Sequence, residues 1–203
     1  MIKDSKPRAK ILVLTAPLGT GKTTVAKALA VDERFTINVS TTSRPPRAGE
    51  ADGRDYVFVS APEFKKRLAD GEFVEYSITG DNYYGVSAKY IADAMAGGKI
   101  LICALDWNGL RALKAKYPAD TVGVFMKPPN KYELLIRLKN RGTSDEEIDR
   151  RMATYDEYME HAREYDFVLV NNDVSRTAAT IADLVFGTDT PGAEAISAAA
   201  GDA

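Results

Sequence analysis

Short uninterrupted apolar runs recur along the chain at Ile11-Leu12-Val13-Leu14, Lys99 to Leu105, Val122 to Met126 and Phe167 to Val170. Branched and almost free of charge, they read as strands buried on both faces of a parallel sheet. Between them the apolar spacing turns helical, over Val25 to Leu29, Trp107 to Lys116, Asn130 to Asn140 with Leu134, Leu135 and Leu138 on one side, and Ser175 to Phe186. Strand and helix alternate, so the expected class is α/β with a parallel sheet flanked by helices.

The alternation breaks between residues 35 and 96. Phe35 to Val39 reads as a short strand, and Ser40 to Glu50, with two adjacent prolines and a glycine, reads as irregular. Asp52-Gly53 gives a hairpin-type turn, Tyr56 to Val59 a strand, Pro62 to Leu68 a helix, and Glu72 to Ile78 an alternating strand. A Gly80-Asp81-Asn82 turn delivers Tyr83-Tyr84-Gly85, after which Ser87 caps a helix over Ala88 to Met95. Residues 35–96 are therefore expected to form a small mixed subdomain between core segments 9–34 and 97–187, with a flexible tail over 188–203. Gly142 ends one helix and Ser144 starts the next, with acids in its first turn. No internal repeat is visible.

With 203 residues, 45% hydrophobic and 28% charged, the chain has the composition of one compact soluble unit, and no apolar run approaches a membrane span. The basic start, Lys3, Lys6, Arg8 and Lys10, reads as a solvated tail rather than a signal peptide. A single cysteine, Cys103, allows no internal disulfide and fits an inert core residue in a reducing, cytoplasmic setting. The net charge of −2 argues against a general nucleic-acid binder, so any anion must be held by local arginines. Oligomeric state stays open.

Chemistry concentrates where the first strand meets the first helix, at Ala16-Pro17-Leu18-Gly19-Thr20-Gly21-Lys22-Thr23-Thr24. This is the spacing of a phosphate-binding loop, with Ala16 in place of the usual first glycine. Gly19 and Gly21 let backbone N–H groups turn onto an anion, Lys22 reaches the terminal phosphates, and the Thr23 hydroxyl suits Mg²⁺. Asp106 closes the run from Lys99 to Leu105 at the sheet's carboxyl edge, as a second candidate for the metal. Arg44 and Arg47 are spaced for bidentate capture of a further phosphate.

Several separate stretches together resemble the guanylate kinase family of P-loop nucleoside monophosphate kinases, over roughly residues 9–187. They are the phosphate loop, Ser40…Arg44-Pro45-Pro46-Arg47-Ala48-Gly49-Glu50…Asp52-Gly53…Tyr56-Val57-Phe58, Tyr83-Tyr84-Gly85, Asp106-Trp107-Asn108-Gly109 and Arg141-Gly142-Thr143. The resemblance implies a P-loop NTPase core with an inserted nucleotide-binding subdomain and a short lid at about 137–151. It implies transfer of the ATP γ-phosphate to GMP or dGMP with Mg²⁺. Arg44, Arg47, Tyr56 and Tyr84, with Glu50 beside them, would hold the GMP phosphate, while Ser40 and Glu75 read the base. A carboxylate at Glu75 accepts from both N1–H and the 2-amino group of guanine, whereas adenine presents a lone pair at N1. Such a site discriminates by about 10⁴ or more.

By the same resemblance Arg137, Arg141 and Arg151 are lid arginines closing over ATP, and Asn171 lies near adenine. The lid is one residue shorter than the usual form, so Arg150 competes with Arg151 for the last position, and Arg151 is favoured. Lys22, Arg44, Asp106 and the three lid arginines form the expected catalytic set, with no general base required. His161, the only histidine, is expected on the surface without a role. Val86 and Ala104 stand where the family usually carries polar residues near the base, which leaves a modified purine nucleotide open. A ribose 1,5-bisphosphate kinase and a non-catalytic protein-interaction module are the remaining alternatives. Ser40, Arg47, Gly49 and Glu50 argue against the first, and an intact phosphate loop against the second.

Overall fold

The computed structural model describes residue 7 and residues 9–187. The expected flexible tail and three of the four basic residues at the start lie outside the described residues, whereas Lys10 pairs with Asp120 at 3.1 Å. A five-stranded parallel sheet has the order β2 (Phe35–Ile37), β7 (Ile100–Ala104), β1 (Ile11–Thr15), β8 (Thr121–Lys127), β9 (Phe167–Val170). Every residue of β1 is buried, because strands lie on both sides of it and helices cover both faces.

Alternate residues of each strand feed two cores. Leu12, Leu14, Ile102 and Val124 pack with Val25 and Leu29 of α1 (Lys22–Leu29) and Ile181 and Val185 of α8 (Val174–Phe186). Ile11, Val13, Leu101 and Phe125 pack on the opposite face, with Ile91 of α3 (Ala88–Ala96) and Leu110 and Leu113 of α4 (Trp107–Lys116). A third, smaller cluster joins Leu134 and Leu138 of α5 (Lys131–Asn140) to Ile148 of α6 (Asp145–Ala153). Ser144 caps α6 by accepting from the Glu147 N–H. The chain continues through α7 (Tyr155–His161) and a short 3-10 turn, Ala162–Glu164, into β9.

The segment between β2 and α3 folds as a second sheet in the order β4 (Val57–Phe58), β3 (Thr41–Thr42), β6 (Asn82–Ser87), β5 (Phe73–Thr79). Under it, α2 (Ala61–Ala69) presents Phe64, which stacks on Phe73 at 4.5 Å and Tyr83 at 5.3 Å.

Four local expectations are corrected. Thr41 and Thr42 form a strand within the stretch read as irregular, because the small sheet pairs them on both sides. Asn82 joins Tyr83-Tyr84-Gly85 in β6, antiparallel to β5, which narrows the turn to Gly80-Asp81. Asp52-Gly53 makes no hairpin, since β4 runs parallel to β3. The separate sheet begins and ends inside the expected 35–96 span, because Phe35–Ile37 hydrogen-bonds to β7 and Ile91 of α3 is a core residue.

Candidate active site

The carboxyl ends of the parallel strands gather the chemistry on one edge, with β1 leading into the phosphate loop and its neighbour β7 leading to Asp106. Thr15 ties the two, donating its hydroxyl to the Leu105 carbonyl at 2.7 Å. The loop turns through Gly19 and Gly21, whose φ values of +99° and +105° lie where side chains are strained. A cavity of about 110 Å³ opens there, lined by Ala16 to Gly19, Gly21 to Thr24 and, from beyond α5, Arg141. Thr20 stands apart from this lining, with its side chain only 1% exposed and its hydroxyl unpartnered among the described residues.

Lys22 begins α1 half-buried. Loss of hydration pushes its ammonium below the usual lysine range, and the charge of Asp106 opposes that shift. Asp106 caps α4, its Oδ1 accepting from the Gly109 N–H at 3.0 Å. The same carboxylate acts on Glu75 of β5: burial first, then repulsion from Asp106, raise the Glu75 pKa to about 7. The Asp106 charge is thus felt by both Lys22 and Glu75.

On that sheet the structure brings Arg44, Glu50, Tyr56 and Tyr84 together. Arg44 forms a fork with Glu50, Nη1 to Oε2 and Nη2 to Oε1 both at 2.9 Å, and its guanidinium lies 5.4 Å from the Tyr56 ring centre. Glu50 also accepts from the Arg47 N–H at 2.7 Å, while the Arg47 side chain is exposed. The Tyr56 and Tyr84 rings meet edge to face at 6.0 Å. With Glu50 holding one fork of Arg44, the corner has the remaining N–H groups of that arginine, a second arginine and two phenols with which to meet an anion. Ser40 lies between β2 and β3, its hydroxyl accepting from Asn38 Nδ2 at 2.8 Å.

Other residues sit differently from the reading of the sequence. Asn171, expected near adenine, is 2% exposed beneath the phosphate loop, where Nδ2 donates to the Thr20 carbonyl at 2.7 Å. Arg137 donates Nη1 to the carbonyl of Asn171 at 2.9 Å, so it braces the loop from α5 rather than standing free over the cavity. Arg150 and Arg151 both pair with Glu147, Arg151 through Nε at 2.7 Å. The Arg151 side chain is 28% exposed against 72% for Arg150. Val86 is wholly buried in the second core, whereas Ala104 is exposed at the end of β7. His161 is not a free surface residue: its ring stacks on Trp107 at 4.0 Å, and Nδ1 lies 2.6 Å from Glu164 Oε1. Thr177, whose hydroxyl donates to Asn171 Oδ1 at 2.9 Å, and Asn38, the partner of Ser40, carry no signal in the sequence, because a lone threonine in a helix and an asparagine near a strand end are ordinary until their partners are known.

A family model described as guanylate kinase matches residues 8–187. The guanylate kinase of Dechloromonas aromatica is 40% identical over 168 residues, covering 82% of this chain and 83% of that one. That of Symbiobacterium thermophilum is 38% identical over 183 residues, covering 89% and 86%. The crystal structure of guanylate kinase from Anaplasma phagocytophilum superposes with a TM-score of 0.72 at 31% identity, covering 90% of this chain and 87% of its own. Phosphate loop, arginine corner and small inserted sheet thus occur together in a chain that belongs to the guanylate kinase family.

Proposed function

We propose that the chain transfers the γ-phosphoryl group of ATP to GMP, and to dGMP, which carries the same base and phosphate. The observation that carries this reading is the Arg44–Glu50 fork beside the Tyr56 and Tyr84 rings, in the same chain as a glycine-turned loop whose cavity is lined by Lys22 and Thr23. An oxygen of the GMP phosphate attacks the γ-phosphorus, the bond to the β–γ bridging oxygen breaks, and ADP leaves. Such a transfer asks for alignment and positive charge more than for covalent chemistry. Lys22 and the loop N–H groups hold the ATP phosphates, with Arg141 at the rim of the same cavity. Arg44, Arg47, Tyr56 and Tyr84 hold the acceptor phosphate, Glu50 fixes the Arg44 fork, and Ser40 and Glu75 read guanine.

Thr23 on the first turn of α1 and the Asp106 oxygen not capping α4 fit a magnesium ion, which binds through one or two protein oxygens and the substrate phosphates. When bound, it would neutralise charge on the transferring group. Arg137 and Asn171 act on the loop itself, and closure of the small sheet and of residues 137–151 would exclude water. No described helix is long and apolar enough to cross a membrane, and we assign the enzyme to the cytoplasm on its single buried cysteine. A coupled ADP-release assay across GMP, dGMP, AMP and IMP tests the reading. Strong preference for the guanine nucleotides is expected, and ADP release indifferent to the acceptor would overturn it.

A further inference from the structure

We propose that Asn38 determines base specificity by acting through Ser40: its side-chain amide locks the Ser40 hydroxyl as a donor toward the 6-oxo group of the purine. The inference rests on the reading of Ser40 as a base contact.

The connection from β2 to β3 is pinned at both ends. The Asn38 N–H donates to the Ile102 carbonyl at 2.8 Å, extending the parallel ladder one residue past Ile37. The Ser40 carbonyl accepts from the Val57 N–H at 2.9 Å. Residues two apart in an extended segment project to the same side, and the Asn38 amide meets the Ser40 hydroxyl there at 2.8 Å. A hydroxyl has one proton to give. Once Ser40 accepts from Asn38, that proton is free for a substrate acceptor.

Guanine offers two donors and one acceptor along its pairing edge. Glu75, acceptor-only when ionised, suits N1–H and the 2-amino group, so O6 is left for a donor. Ser40 held as a donor meets O6 favourably and meets the 6-amino group of adenine donor to donor. The polarity of the Asn38 amide decides this. Its Oδ1 is buried without a partner among the described residues. Turning the amide over would bury the NH₂ group unpaired instead, and orphaned N–H donors are rarer in folded proteins than under-satisfied carbonyls.

Asn38→Asp tests the idea at constant shape, since it removes the amide donor and makes Ser40 donate inward. Asn38→Ala, Ser40→Ala and the double variant N38D/S40A complete the set. Substrates are GMP, IMP, which keeps O6 and N1–H without the 2-amino group, and the monophosphate of 2-aminopurine riboside, which keeps the 2-amino group but has neither O6 nor the N1 proton, so each variant is compared with the parent on the same nucleotide. Asn38→Asp and Asn38→Ala should each lose about 10-fold or more in kcat/KM for GMP and IMP, through KM. KM for ATP and kcat/KM for the 2-aminopurine nucleotide should hold, and N38D/S40A should be no worse than Ser40→Ala. Equal losses on all three nucleotides, a raised KM for ATP, or additive losses in the double variant would overturn the proposal. Ser40→Ala impaired beside a fully active Asn38→Asp would sink the role of Asn38 alone. A fully active Ser40→Ala would instead remove the base contact on which it rests.

Discussion

Asn171 holds Thr20 from beneath, its amide nitrogen 2.7 Å from the Thr20 carbonyl while its Oδ1 accepts from the Thr177 hydroxyl at 2.9 Å. The phosphate loop is thereby fastened to the end of β9 and to α8 through two buried hydrogen bonds. Replacing Asn171 by Ala leaves the Thr177 hydroxyl without its acceptor and the Thr20 carbonyl with only the 3.5 Å contact from Arg137 Nη1, at a cost of about 1–3 kcal/mol, or roughly 2–4 °C of Tm for each kcal/mol. KM for ATP should rise well above any change in KM for GMP. Equal rises in the two constants would refute the bracing role.

Gly19 sits against Leu134 and Leu138 of α5. A Cβ built there falls 2.6 Å from Leu138 Cδ2, and φ is +99°. Gly19→Ala is therefore expected to lose about 1–2 kcal/mol from backbone strain alone. ATP affinity, read by calorimetry, should fall about 10-fold or more while GMP affinity holds. Unchanged ATP binding would mean that the loop tolerates a different path.

Lys22 carries a depressed pKa because its ammonium is poorly hydrated. Lys22→Met should lower kcat by about 10² or more, the scale of losing one preorganised charge at the transition state. Since holding that ammonium away from water opposes folding, the Tm of the variant should equal or exceed that of the parent. A near-normal turnover would deny Lys22 its role at the phosphates.

Glu75 titrates near pH 7, raised first by burial and then by Asp106. Guanine needs the ionised form, so kcat/KM for GMP should climb as pH rises through about 7, beyond the slope shown by Glu75→Gln. The GMP phosphate also ionises near pH 6, but it does so in both proteins and cancels in their ratio. Stability runs the other way. A carboxyl whose folded pKa exceeds its unfolded value binds more protons when folded, so stability falls as pH rises from about 4.5 to about 7. Glu75→Gln should then melt a few degrees higher than the parent at pH 8 and show no such gain at pH 4. Parallel pH profiles for the two proteins would show that Glu75 does not touch the base.

The core strands were legible because a helix-covered parallel sheet demands apolar runs, as in β1, β7, β8 and β9, although β9 at the sheet edge is not buried on both faces as expected and leaves Val170 47% exposed. Thr41-Thr42 and Val57-Phe58 were harder to read, since two-residue strands have no period and exist only through their neighbours. The turn of the phosphate loop between strand and helix was legible because its pattern is local in sequence, whereas the burial of Thr20 beneath it was not. His161 was misread for the opposite reason. Flanked by Glu160 and Ala162, it lacks any local mark of the Trp107 ring on which it stacks.

The order of residues by itself determined the α/β class, the anion loop, the arginine-rich corner and the acid at the end of β7, because periodicity and close spacing are properties of short stretches. Only the tertiary structure decided that Asn171 and Arg137 brace the loop, that Val86 lies in the core, and that Glu50 occupies the Arg44 fork. It also decided that Asn38 orients Ser40. These assignments turn on where one donor meets one acceptor within about 3 Å. Folding settles that meeting, and for Asn171 and Thr20 it joins atoms 151 residues apart.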